Sequence, residues 1–357
     1  MPLKYPWRTS YGEDKNIHSL LVRVTSEAVS AWSESAPLFA PTYLTESAGG
    51  AFYNISEIMA PHIVGHEYET ADELNRRLEI FKGNSFAKAA IEIAWWTLQS
   101  KLTSTPLHKL LGGHSREVHA GADFGIQDSF DMLIENINNA VEAGFPRIKL
   151  KVARGWDLDM LKVVRSAFPN TTFHIDCNGG YSLDDMQLFE AIDRLDLAFI
   201  EQPLHYADLL DHAELAKRIE TPVCLDESIT SVRSARQALD VGACTIVNIK
   251  PARVGGLANA VAIHDLCRDN GVPVWVGGML ESAVGAAVCI ELATLENFSY
   301  PGDLFPSDRF YENDLSSPPI ALTNRLTFEP FTDKLPEPDP VRLKQCTVQT
   351  RTISSRN

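Results

Sequence analysis

Five short stretches decide the fold: Arg-Ile-Lys-Leu-Lys-Val (147–152), Phe-His-Ile-Asp-Cys-Asn (173–178), Phe-Ile-Glu-Gln-Pro (199–203), Val-Cys-Leu-Asp-Glu-Ser (223–228) and Ile-Val-Asn-Ile-Lys-Pro (246–251). Each contains the apolar positions of a strand buried in a parallel sheet, and each also places a charge where such a strand should carry none. The charges are evenly spaced: Lys151, Asp176, Glu201, Asp226 and Lys250 follow one another at intervals of 25, 25, 25 and 24 residues. A strand of about 5–6 residues, a helix of about 11–12 and two loops of about 2–6 fill one such interval. Each charge therefore holds the same place in its own βα unit.

Outward from this core, strands are expected at 118–122, 147–152, 172–176, 198–201, 223–226, 245–250 and 273–276. Helices are expected between them at 129–143, 157–168, 183–195, 209–219, 231–239 and 257–269. Seven β-then-α steps favour a closed α/β barrel over an open sheet, with the charges ringed at its C-terminal mouth. The preceding chain reads as α+β. It has a strand at 20–24, a loop dense in Pro, Ser and Gly after Glu34, and a helical stretch at 56–102 in which Thr70 and Glu73 form a capping-box-like start. Past Pro318 the sequence is Pro-rich and polar, as a segment folding back on the first domain would be. The division expected is 1–115, 116–318 and a return at 319–357.

Composition narrows the partners. The 357 residues carry a net charge of −15 and no basic cluster, which disfavours nucleic acid and anionic membranes. No run of about 18 apolar residues offers a membrane span, and the N-terminus lacks the apolar stretch of a signal peptide. The six cysteines show no C-x-x-C spacing and sit mostly in apolar runs. A soluble, cytoplasmic protein is expected.

Three carboxylates at adjacent strand ends repel one another unless a cation sits between them. Asp176, Glu201 and Asp226 offer only hard oxygen donors, which suit Mg²⁺ or Mn²⁺ better than Zn²⁺. Residues 176–180 begin like a calcium loop but place Tyr181 where glycine is required, and His66-Glu67 lacks the second His of a zinc helix. Strand parity turns Lys149 and Lys151 into the barrel, with Asn248 and Lys250 opposite. His174 shares the parity of Asp176 and reads as a packed core histidine before a neighbour of the site. Cations on two sides of one metal suit removal of a proton from the carbon beside a carboxylate, because the enediolate that forms needs positive charge. General-base help alone supplies about 10²–10⁴-fold, so electrostatics must carry the larger share.

Taken with these features, the stretches Lys149-Leu-Lys151, Asp176-Cys-Asn178, Glu201-Gln-Pro203, Asp226-Glu-Ser228, Asn248-Ile-Lys250-Pro251, Gly255-Gly256 and 277–282 resemble the enolase superfamily, muconate-lactonizing subgroup. They are most similar to its o-succinylbenzoate synthase / N-acylamino acid racemase family. Residues 6–12 and 40–43 are similar to the family's capping domain, so the resemblance spans roughly residues 6 to 315. It implies a modified TIM (β/α)7β barrel with an N-terminal α+β capping domain, and Mg²⁺ at Asp176, Glu201 and Asp226. Lys151 and Lys250 would be the acid/base pair, Lys149 would bind the substrate carboxylate, and Asn178 and Glu227 would support the ligands. Met279, Phe39 and Tyr43 would contact substrate. The cap loop is expected to set substrate choice while the barrel sets the reaction.

The resemblance further implies a small carboxylate substrate, a homo-oligomer, and either dehydration in menaquinone biosynthesis or racemisation of N-acylamino acids. Muconate cycloisomerisation, dipeptide epimerisation and a non-catalytic metal-binding barrel are the alternatives. Two departures fall in the cap: Ala31-Trp-Ser-Glu34 stands for the family's Gly-x-Gly-Glu, and Trp96-Thr-Leu98 for Trp-Asp-Leu. The chain also starts late compared with relatives, so a shortened or missing first cap strand is expected.

Overall fold

A computed structural model describes residues 1–114 and 116–354. Residue 115 of the expected cap and the last three of the expected return lie outside the described residues. Four strands open the chain: β1 (Pro2–Thr9) pairs antiparallel with β2 (Gly12–Asn16), and β3 (Leu20–Ser26) with β4 (Val29–Ser35). The first hairpin escaped sequence reading because two prolines interrupt the alternating Leu3, Tyr5 and Trp7 of β1 and β2 carries no apolar residue. The first eight residues after Met1 nonetheless form a strand. The helices that follow include Ala71–Leu78, whose N-cap Thr70 accepts from Glu73 N at 3.3 Å while the Glu73 side chain accepts from Glu69 N at 2.9 Å. Helix Ser85–Thr103 lies against β3 and β4, with Ala87, Ala90, Ile91 and Ala94 buried.

The chain then forms β5 (Val118–His119) and seven parallel strands: β6 (Ala122–Phe124), β7 (Ile148–Lys151), β8 (Phe173–Asp176), β9 (Ile200–Glu201), β10 (Val223–Leu225), β11 (Ile246–Ile249) and β12 (Val274–Val276). They pair in sequence order, as right-handed βα units do. The segment 298–303 closes the ring. It bonds to β12 through Asp303 N to Val276 O (2.9 Å) and to the other edge through Gly121 N to Gly302 O (3.0 Å). This is the (β/α)7β barrel that the sequence implies.

One expected strand, 118–122, divides in two. Residues 118–119 leave the barrel to pair with β13 (Thr327–Phe328), and the barrel strand starts at Ala122. The break falls at Gly121, where a Cβ would lie 1.9 Å from the Arg147 side chain; only glycine lets that guanidinium pass.

Two cap carboxylates join cap to barrel at helix N-termini, where unpaired backbone N–H groups and the helix dipole attract negative charge. Glu34 on β4 accepts from Ser282 N (3.1 Å) and Gly285 N (3.0 Å) at the start of helix Ala283–Leu292. Glu92, from helix Ser85–Thr103, accepts from Leu257 N (2.7 Å) and Ala258 N (2.8 Å) at the start of helix Leu257–Asp269. Gly256 makes room: a Cβ there would sit 2.3 Å from the Glu92 carboxylate. The segment after β13 touches both domains, through ion pairs Glu337–Lys101 and Arg351–Glu57 to the cap and Phe331 N to Glu291 on the barrel side.

Burial raises Glu92 to about 7 despite the hydrogen bonds that oppose the rise. The folded state therefore binds this proton more tightly than the unfolded chain, whose carboxyl titrates near 4.5. The stabilisation is full below that value and is lost as pH rises through about 7, a loss of up to ~3 kcal/mol. Glu92→Gln resembles the protonated acid. Its melting temperature relative to the wild type should rise steadily between pH 5 and 7.5, and a constant difference in a calorimetric pH series would refute this account.

Candidate active site

The even spacing in sequence becomes a row in space. Lys151 on β7 is the register partner of Asp176 on β8, and Asp176 of Glu201 on β9. Glu201 pairs with Cys224 on β10, which sets Asp226 two residues farther up the barrel. Gln202 fixes that step. Held at φ 38°, it accepts from Asp226 N and Ser228 N (both 3.1 Å) through its amide oxygen.

Asp176, Glu201 and Asp226 are fully buried, with ligand oxygens all within 4.8 Å of one another. Basic side chains surround them. Lys149 Nζ lies 3.0 Å from Asp176 and 2.8 Å from Glu201, Lys151 Nζ 2.6 Å from Asp176, and Lys250 Nζ 2.9 Å from Asp226. Arg253 ion-pairs with Asp226. The Lys149 ammonium also faces the Trp275 ring, 5.0 Å from its centroid.

The electrostatics divide these acids. Burial disfavours the charge on Asp176, yet Lys149 and Lys151 hold its pKa well below the carboxylate range. Burial, reinforced by the Asp176 charge, pushes Glu201 up to about 7. Glu201 Oε2 receives no hydrogen bond although Lys149 stands beside it. An orphaned oxygen within a cluster of three buried carboxylates fits a divalent cation, and an all-oxygen donor set suits a hard one. Burial opposes the charge on Lys250 as well, but Tyr43, Glu227 and Glu201 hold its pKa above the ordinary lysine value.

With this geometry, the sequence matches two known domain families over most of its length. Residues 1–112 match the mandelate racemase / muconate lactonizing enzyme N-terminal domain, and residues 132–329 match the enolase C-terminal domain-like family. The chain belongs to the enolase superfamily. Among similar superfamily enzymes is an o-succinylbenzoate synthase from Geobacillus kaustophilus, 42% identical over 91% of this chain and 87% of the relative. An N-succinylamino acid racemase from Thermus thermophilus is 40% identical over 88% of this chain and 85% of the relative. A solved enolase superfamily member from Listeria innocua superposes with a TM-score of 0.92 at 34% identity, covering 97% of this chain and 94% of that one.

Other expected residues meet at this superfamily site. Asn178 accepts from Lys151 Nζ at 2.9 Å and donates to Glu227 at 2.8 Å. Met279 is buried in the pocket wall. Tyr43 reaches down from the cap loop: its hydroxyl donates to Asp226 (3.1 Å) and accepts from Lys250 Nζ (3.2 Å) and Arg253 (3.3 Å). Burial pushes the phenol up to about 12, so it remains a donor near neutral pH.

Phe39 differs from expectation. It is 68% exposed and packs on His18, while its neighbour Leu38 lines the pocket. Leu38 has φ 72°, and that turn sends the leucine inward and the phenylalanine out. His174 is both a core residue and a neighbour of the site. It stacks on Phe199 at 4.2 Å, and its Nε2 lies 3.8 Å from Glu201 without a hydrogen bond.

Sequence reading missed a second polar layer. Arg147 ion-pairs with both Asp123 and Asp303, and Asp303 holds Lys149 Nζ at 2.9 Å. Strand parity could have revealed Arg147, two residues before Lys149. Asp303 lies on an irregular closing segment whose inward face no periodicity announces. Asn248, noted for its parity, donates to Glu201 at 2.7 Å.

Glu201→Gln removes one anionic oxygen donor from the cluster. Titration calorimetry should show at least tenfold weaker Mg²⁺ binding in this variant, and Mg²⁺ should raise its melting temperature less than that of the wild type. Equal affinity in the two proteins would refute the ligand assignment.

Proposed function

We propose that this protein removes the proton from the carbon alpha to a substrate carboxylate, acting as an o-succinylbenzoate synthase, an N-succinylamino acid racemase, or both. The observation that carries the proposal is the pair Lys151 and Lys250, each bonded to a different metal-ligand carboxylate at 2.6 Å and 2.9 Å. They stand on β7 and just past β11, four strands apart, so a substrate between them meets one amine on each side. Asp176, Glu201 and Asp226 would hold Mg²⁺, which when bound supplies positive charge for the substrate carboxylate and the developing enediolate.

The chain's own groups do the rest. Lys151 takes or returns the proton on one side and Lys250 on the other. Lys149, fixed by Asp303 and the Trp275 face, adds positive charge at the carboxylate. Asn178 and Tyr43 aim the two amines through hydrogen bonds of 2.9 and 3.2 Å. Trp7 and Leu38 from the cap help exclude water. The similarity to both named relatives supports both reactions, since dehydration and racemisation share the first proton transfer.

In racemisation each lysine serves one enantiomer. Lys151→Ala should then retain α-deuterium exchange with one N-succinylamino acid enantiomer in D₂O, Lys250→Ala with the other, and neither should racemise. In dehydration alone, one replacement abolishes proton removal and the other slows it. Wild-type exchange of both enantiomers in either variant, followed by NMR, would overturn the paired-lysine mechanism.

A further inference from the structure

His174 occupies an interior position of the barrel where a phenylalanine would serve the packing equally well. It stands on β8 two residues before Asp176, as the register partner of Lys149, and is fully buried. Three rings enclose it: Phe199 stacks on it at 4.2 Å, and Trp275 and Tyr300 meet it edge-on at 5.4 and 5.6 Å. Those contacts require only a flat ring. The two nitrogens need a separate account, because a buried polar atom left without a partner costs free energy. Nδ1 has a partner, the Tyr300 hydroxyl at 3.2 Å, which comes from the closing segment and is partly exposed. Nε2 has no hydrogen bond among the described residues, and it faces another orphaned atom, Glu201 Oε2, at 3.8 Å.

The facing carboxylate selects which nitrogen carries hydrogen. A bare Nε2 would turn its lone pair toward a carboxylate oxygen and repel it, whereas Nε2–H attracts it. Nδ1 is then the acceptor, and the Tyr300 hydroxyl donates to it. Other groups hold the rest of Glu201: Asn248 donates to Oε1 at 2.7 Å, and Lys149 Nζ stands 2.8 Å from Oε2 without forming a hydrogen bond. A donor toward Oε2 is the part this carboxylate lacks. We infer that His174 is a positioning residue of the metal centre: its Nε2–H is that donor, Tyr300 aims it, and the pair holds Glu201 in the orientation that joins Asp176 and Asp226. This rests on the proposed cation at the three carboxylates and adds what orients one of its ligands.

The test titrates the full-length protein with Mg²⁺ by calorimetry, beside melting curves taken without metal. His174→Phe keeps the ring and removes the donor. Its melting temperature without metal should stay close to that of the wild type, while its Mg²⁺ affinity falls about tenfold. His174→Gln returns an N–H near the place of Nε2 and should recover most of that affinity. In ¹⁵N spectra of the Mg²⁺-loaded wild type, the His174 ring should carry its hydrogen on Nε2. Wild-type affinity in a folded His174→Phe, no recovery in His174→Gln, or a ring hydrogen confined to Nδ1 each overturns the inference and leaves the cation site standing. If His174→Phe does not fold, the spectrum decides alone. A wild type that binds no Mg²⁺ overturns the site itself, and this inference with it.

Discussion

Buried like charges need a counter-charge, and in this protein that constraint organises everything above the barrel floor. Asp176, Glu201 and Asp226 converge within 4.8 Å, each fully buried. Ionised together without cations they would repel strongly. Lys149, Lys151, Lys250 and Arg253 answer that repulsion from neighbouring strands and loops, and a divalent ion completes the answer. The groups suited to chemistry are thus the groups that make the carboxylate cluster tolerable. Their positions follow from register: cross-strand pairing places Lys151, Asp176 and Glu201 side by side, and a two-residue stagger lifts Asp226.

The cap is part of this arrangement and not simply a cover. The Tyr43 hydroxyl joins Lys250, Asp226 and Arg253 in one hydrogen-bonded group, so a cap residue orients a buried lysine and a carboxylate of the cluster together. The sequence suggests substrate choice in the cap and reaction type in the barrel, and Tyr43 is a cap residue that hydrogen-bonds directly to charged groups of the barrel. Leu38 and Asp14 line the pocket, and Tyr43 reaches the buried Asp226.

How much was legible follows from where order is periodic. The barrel, its charges and the lysine pair declared themselves because identical βα steps impose an identical interval. Tyr43 was visible only through resemblance, and Phe39 was assigned with it because nothing in the sequence announces the positive φ of Leu38. Asp303 and Arg253 lie on irregular segments, where neither spacing nor parity gives a direction. Asp14 sits on β2, a strand without apolar residues, whose pattern gives little hint that one of its faces lines a pocket.

The Glu34 and Glu92 docks carry a consequence for recombination. Each dock spans two domains, with the acid on the cap and its donors on the barrel, and each depends on a glycine beside it: a Cβ at Gly256 or Gly285 would crowd Glu92 or Glu34. A barrel paired with a foreign cap keeps two helix ends with unfilled backbone donors, and a transplanted cap brings two acids without N–H donors. Shuffling at the domain boundary therefore succeeds only among relatives that share both acids and both glycines. Chimeras within this lineage must inherit the joint as one unit.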